Sequence, residues 1–423
     1  MEKLYSELQS VEQMEEFLYG KKIVIYGIGI YGQCLVDYLC SIGWREQIDS
    51  IVVTDINNSP KRDYAGFDVW NAQDRFINIG ESWIVIAVSD FYRRDLCDLV
   101  RQHTLNYICI SDRLHYWMRA KCNSNIVLPI GKVDFCVAGF AKCGTTSLFG
   151  ALSKQENIFM PQCKETLFFE WYKSINEPEK FLKKKYFKGA EKKQVIGMIE
   201  PSFFCYAREV SQLLGRGIKI IFLLRNPVEA LFSFFKMATR SGGDEELECL
   251  YQKSGFNDNM YTEYLQHKIS MHALTMANYS FWIKQYLEYF PKEQIKIIFF
   301  EDLIKNPQWE LNEILEYIGC IDIGESITLP HMNSGDFVMA DKVGYMLAVQ
   351  RKKLLMKQRS ADRYTNEDND ELNRVKMEYQ SANKIYHVKM TPEQRMLAKD
   401  FFNEDVKWLE SMTNRNLTDL WNW

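Results

Sequence analysis

The residues best placed to do chemistry lie in one short stretch, Gly139-Phe140-Ala141-Lys142-Cys143-Gly144-Thr145-Thr146-Ser147-Leu148. An apolar run, Val133–Ala138, ends in a glycine. A loop with one lysine follows, then a second glycine, three hydroxyl residues and an apolar helical pattern. That order builds an anion cradle between a buried strand and a helix N-terminus. Main-chain N–H groups point at the anion, the helix dipole favours it, and Lys142 adds a full charge.

The spacing of Gly139 and Gly144 is that of a triphosphate-binding loop, G-x-x-x-x-G-K-[ST]. The lysine position after the second glycine holds Thr145 instead, and the lysine has moved inside the loop. A triphosphate enzyme would lose the amine that reaches its β- and γ-phosphates. The loop suits a single 5′-phosphate bearing one group to transfer. Cys143 sits where a helix N-terminus lowers a thiol pKa, which makes it a candidate reactive cysteine. The eleven cysteines otherwise lack metal-ligand spacing and read as buried free thiols of a reducing compartment.

The elements that must position this loop form two series. Lys22–Tyr26, Ser50–Thr54, Trp83–Val88 and Tyr107–Ile110 read as buried strands, alternating with helical patterns such as Gln33–Ser41 and Phe91–His103. That alternation implies a parallel sheet. The first strand runs into Gly27-x-Gly29-x-x-Gly32, and Asp55 ends the second. This is the context of a dinucleotide fingerprint, in which the acid meets a ribose. Tight strand–helix packing explains the same glycines as well. Residues 112–130 read as a linker. The second series starts at Val133, with strands at Gln194–Ile199, Ile218–Leu224 and Ile295–Phe299. Residues 241–260 read as a loop, Met271–Phe290 as a long helix, and 340–385 as charged and helical.

Composition narrows the classes. A chain of 423 residues suggests two or three domains. The net charge of -4 gives no global attraction to nucleic acid or anionic membrane. Residues 1–20 are acidic and amphipathic, unlike a signal peptide. No apolar run approaches the ~20 residues that cross a bilayer. The expectation is a cytoplasmic protein without a transmembrane segment or a metal site.

Several segments together resemble the sulfotransferases that use 3′-phosphoadenylyl sulfate (PAPS), of the carbohydrate type. The cradle resembles that family's 5′-phosphosulfate loop. Lys164-Glu165-Thr166-Leu167-Phe168-Phe169 is similar to its Lys-Glu-x-x-Phe-Phe segment, and Leu224-Arg225-Asn226-Pro227-Val228-Glu229, with Ser233 downstream, to its 3′-phosphate segment. Tyr289-Phe290-Pro291 to Phe300-Glu301-Asp302-Leu303 resembles the helix–strand pair that follows, and Leu397–Trp421 the family's ending. The resemblance implies that PAPS is held by Lys142, Cys143, Gly144, Thr145, Thr146, Ser147, Arg225 and Ser233, and that Lys142 and Glu165 are catalytic.

Sulfuryl transfer resembles phosphoryl transfer, so positioning and electrostatics carry most of the rate. Lys142 would stabilise charge on the leaving phosphate oxygen, and Arg225 offers a bidentate fork. Each role has a structural rival: a loop lysine, a helix-entry ion pair at Arg225, a groove contact at Ser233, and a Lys164–Glu165 salt bridge or N-cap. The segment Gly197-Met198-Ile199-Glu200-Pro201 departs from the family's Gly-Glu-Lys-Ser/Thr-Pro. Its lysine position is Ile199, and Glu200 stands where a small hydroxyl residue is usual, so Glu200 competes with Glu165 as base. The lysines at 183–185, 188 and 192–193 read as a solvated face.

The expected fold is α/β: a Rossmann-like parallel-sheet domain over residues 1–120, then a P-loop-like three-layer α/β/α sulfotransferase domain over 131–423. The first domain resembles modules attached to bacterial sugar-modifying enzymes. Gly27, Gly29, Gly32 and Asp55 are its candidate residues for NAD(P) or a nucleotide-sugar. The expected acceptor is a hydroxyl of a carbohydrate or glycoconjugate, such as a bacterial cell-surface polysaccharide or its precursor. The alternatives are a small-molecule or lipid alcohol, a nucleotide kinase, or an NAD(P)-binding oxidoreductase or sensor.

Overall fold

The computed structural model describes residues 11–423 except 60, 78–79, 89, 105, 111–113, 116–117, 119–132, 172–183, 191–192, 194, 216, 243, 267–275, 321–328, 331–336, 340, 360–364 and 382–384. Most of the linker read at 112–130, part of the lysine cluster and the first five residues of the helix read at 271–290 lie outside the described residues; the rest of that segment is helical over Tyr279–Leu287. The chain divides into two compact units. One comprises Met1–Ser124, Lys236–His272 and Phe337–Val388; the other comprises Asn125–Phe235, Ala273–Asp336 and Lys389–Trp423.

The first unit carries β1 (Ile23–Tyr26), β2 (Ile48–Val53), β3 (Asp63–Tyr64), β4 (Phe67–Asn71), β5 (Trp83–Ile86) and β6 (Tyr107–Cys109), in the order β3-β4-β2-β1-β5-β6. All pairings are parallel except the β3–β4 hairpin. Successive strand residues face opposite sides. Ile23 and Ile25 therefore pack with Leu35 and Leu39 of the Ile30–Ser41 helix, whereas Val24 and Tyr26 pack with Cys97 and Val100 of the Asp90–Arg101 helix. Both faces of the sheet are covered.

The segment read as a loop at 241–260 is helical over Glu245–Ser254. Asp244 caps it by accepting from Leu247 N at 3.1 Å, and Leu247, Leu250 and Tyr251 are buried along one side. The local Gly and acidic content marks the helix start, not an open loop. The charged stretch at 340–385 forms helices Lys342–Arg359 and Asn366–Ser381, as expected. Arg351 donates to Arg240 O in the last turn of the Pro227–Ser241 helix and Lys352 to Gly242 O just past its end, so they satisfy terminal carbonyls.

The second unit is built on β7 (Phe135–Gly139), β8 (Ile158–Phe159), β9 (Val195–Ile199), β10 (Lys219–Leu224) and β11 (Ile295–Phe299), in the order β11-β10-β7-β9-β8. Every pairing is parallel. All five residues of β7 and of β9 are buried, as continuous apolar runs in a two-sided parallel sheet should be. β7 lies between β9 and β10, so the chain leaves it to one side for β8 and β9 and returns to the other for β10. Such a switch opens a crevice at the carboxyl ends of the strands. Both units are α/β, the fold class expected. β12 (Phe337–Met339) and β13 (Ile385–His387) form a separate antiparallel pair in the first unit.

Candidate active site

Four loops leave the carboxyl ends of β7, β9, β10 and β11, and each carries chemistry. The β7 loop bears Lys142 in the left-handed region, at φ 67, and Gly144 at φ 92. Only glycine is at ease at Gly144, because a side chain there would also meet the Phe300 ring at 2.7 Å. The Thr145–Leu152 helix starts immediately, and no side chain caps its N-terminus. Its first amides are therefore left for an anion. Thr145 is buried; Thr146 and Ser147 are half-buried.

The β10 loop brings Arg225 against this cradle. Its Nη1 donates to Lys142 O at 3.3 Å, and its guanidinium lies over the Phe300 ring at 4.8 Å. Phe300, read in the sequence only as part of a helix–strand pair, thus packs beneath both Gly144 and Arg225. The next residue is locked from three sides. Asn226 N donates to Glu301 Oε1 at 2.9 Å, its Nδ2 donates to Trp421 O at 3.0 Å, and its Oδ1 accepts from Val228 N at 3.0 Å. That last bond caps the helix beginning at Pro227. Ser233 lies half-buried two turns along the same helix.

Cys143 is fully buried beneath the loop. Burial pushes its thiol up to about 12, against the lowering effects of the Tyr279 hydroxyl at 3.4 Å and of Arg225 and Lys142. The helix N-terminus does not make it reactive: desolvation outweighs the dipole. It is a packing residue whose main chain belongs to the loop.

Glu165 and Glu200 differ sharply. The Glu165 side chain is 47% exposed and is ion-paired with Lys164, whose side chain is 15% exposed. Glu200, one residue past β9, is fully buried. It accepts from Thr166 N through Oε1 and from Leu167 N through Oε2 at 3.4 Å. Burial pushes its carboxyl up to about 8, opposed by the hydroxyl and amide of Thr166, with Glu165 nearby adding to the rise. Leu167 adopts φ 50, and Thr166 Oγ1 accepts from Phe168 N at 3.3 Å, so the turn is tight. Phe169 then packs on Phe203 at 4.3 Å and Tyr206 at 5.4 Å.

In the first unit, Gly27 has φ 109, and a side chain on Gly32 would lie 2.0 Å from Gly27 O. Gly29 faces open space. Asp55 accepts from Asn57 N at 2.9 Å, capping a short turn. The described lysines 184, 185, 188 and 193 are exposed. Among the described residues, no group of His, Cys, Asp and Glu is placed to hold a metal ion, and no helix is long and apolar enough to cross a membrane.

The chain is similar to several known proteins. Among solved structures, a sulfotransferase from Alicyclobacillus acidocaldarius is 20% identical with a TM-score of 0.43, covering 69% of this chain and 99% of that one. The sulfotransferase domain of the Synechococcus PCC 7002 olefin synthase is 15% identical with a TM-score of 0.33, covering 50% and 80%. That of the curacin biosynthetic pathway is 16% identical with a TM-score of 0.31, covering 49% and 80%. No curated protein matches the chain. The family described as the sulfotransferase domain matches residues 132–410, which hold the cradle, Glu165, Glu200 and Arg225. By that match the chain belongs to the sulfotransferase family.

Proposed function

We propose that this sulfotransferase takes its sulfuryl group from PAPS and delivers it to a hydroxyl of a carbohydrate or glycoconjugate. The observation that carries the donor assignment is the join between the two loops: Arg225 bonds the carbonyl of Lys142, so a monophosphate fork and the cradle lysine share one framework. The uncapped amides after Gly144 and the hydroxyls of Thr145, Thr146 and Ser147 fit a 5′-phosphate. Arg225, with Ser233 further along its helix, fits the 3′-phosphate. Lys142 offsets charge on the phosphate oxygen that the sulfuryl group leaves. Glu165 is open to solvent and takes the proton from the attacking hydroxyl. The acceptor class rests on the resemblance of the Lys164–Phe169 segment to carbohydrate sulfotransferases.

A phosphate-transfer reading is disfavoured by Thr145, which occupies the position of a kinase lysine. For the Rossmann-like first unit, we favour a packing role over NAD(P) or nucleotide-sugar binding. Gly32 packs where the helix meets Gly27, and Asp55 Oδ1 accepts from Asn57 N within a turn. Transfer is tested by incubating the protein with labelled PAPS, or with labelled ATP, against methyl hexosides, dextran and long-chain alcohols. Label on a sugar from PAPS alone supports the reading. Label from ATP, or on the alcohols only, replaces it.

A further inference from the structure

Resting on that reading, we propose that Glu200 is a positioning residue that sets the reach of the candidate base Glu165 by gripping the main chain of the turn that carries it.

The geometry separates the two acids by task. Glu200 begins where β9 ends, beside the centre of the parallel sheet, and its own amide donates to Val137 O of β7 at 3.0 Å. Its carboxyl group is wholly enclosed and faces the two consecutive amides of Thr166 and Leu167. Those amides follow Glu165 directly, so the sheet holds the base through one side chain. The turn needs such a hold. Leu167 is a non-glycine residue at φ 50, which is unfavourable on its own. Amides in a turn of this shape have no ladder partner and need another, which here is the Glu200 carboxyl. A small hydroxyl residue at 200 is too short to meet both.

Glu200 is not itself the base. No acceptor reaches an enclosed carboxyl whose oxygens face the chain. Its pKa, pushed to about 8, also keeps it protonated at neutral pH.

The test is a double-mutant cycle on the full chain, using labelled PAPS and the methyl hexosides, with water as the default acceptor. Glu200→Leu keeps the volume and removes both acceptors. We expect kcat to fall at least tenfold, KM for PAPS to stay within twofold, and Glu200→Gln, which restores one acceptor, to recover most of the loss. Glu165→Gln alone should cost as much as Glu165→Gln with Glu200→Leu, because Glu200 acts only through Glu165. If Glu200→Leu does not fold, Glu200→Asp, too short to span both amides, takes its place. Unchanged turnover in Glu165→Gln would overturn the reading of Glu165 as base. Loss in Glu165→Gln combined with full kcat in the Glu200 variant, or with losses that multiply, would overturn the positioning role alone.

Discussion

Single residues divide the labour of this site by their surroundings more than by their type. Lys142, Arg225, Glu165 and Glu200 are ordinary charged residues in the sequence. What distinguishes them is burial and partner. For Lys142→Ala we expect kcat to fall by about 10²–10³, the usual loss for one preorganised group facing developing charge. Arg225→Lys should act chiefly on donor affinity, since an ammonium cannot reproduce the fork, and calorimetry with 3′-phosphoadenosine 5′-phosphate (PAP) reads that loss directly. Glu200 also gives stability a pH signature. The folded carboxyl keeps its proton up to about pH 8, whereas the unfolded chain releases it near its ordinary value of 4.5. Between those values the folded state binds more protons. The contribution of Glu200 is therefore full below about pH 4.5, declines as pH rises toward 8, and is level above it. Glu200→Gln should remove that decline, at most about 1.4 kcal/mol per pH unit, in denaturant titrations at several pH values. A Glu200→Gln profile parallel to the parent's across that window would contradict the assignment.

At the scale of elements, the cradle is a strand end, a turn and a helix start, and each leaves a mark in the sequence. The apolar run into Gly139 and the hydroxyl cluster after Gly144 made this element legible from residue types alone, as did the strand before Arg225. Three features were not legible. Phe300 lies far along the chain, and only folding brings its ring beneath Gly144 and Arg225. Glu200 was visible as a residue out of place, but its partners, the amides of Thr166 and Leu167, carry no side-chain signal. The helix over Glu245–Ser254 was missed because its cap and acidic first turn share the composition of a loop. Asp244→Ala should therefore cost about 1 kcal/mol of stability, as the loss of an N-cap does. Gly144→Ala should be worse. It combines a left-handed strain of about 1–2 kcal/mol with a clash against Phe300, and PAP binding should disappear with it.

Across the whole chain, the two series of strands and helices foreseen in the sequence exist as two sheets with parallel cores. Less foreseeable was the sharing out of later segments. Lys236–His272 and Phe337–Val388 group with the first unit, and Lys389–Trp423 with the second, a division that depends on distant contacts and not on composition. Both glycine loops open onto a helix without a side-chain cap, and in the first Gly32 also meets Gly27 closely. In the second, Arg225 bonds the loop carbonyl of Lys142. A thermal-shift panel should distinguish the two. PAP at about a hundred times its dissociation constant should add about 2.7 kcal/mol of stability to the unit that binds it. Nicotinamide and uridine nucleotides should give no shift.

We propose above that Lys142 and Arg225 form one framework that binds PAPS and transfers its sulfuryl group. The most direct measurement is the rate of PAP formation from labelled PAPS by the parent protein, by Lys142→Ala and by Arg225→Ala, under one set of conditions. The parent should turn over, Lys142→Ala should lose about 10²–10³ in kcat, and Arg225→Ala should lose mainly through KM. Equal turnover in all three proteins would contradict that proposal.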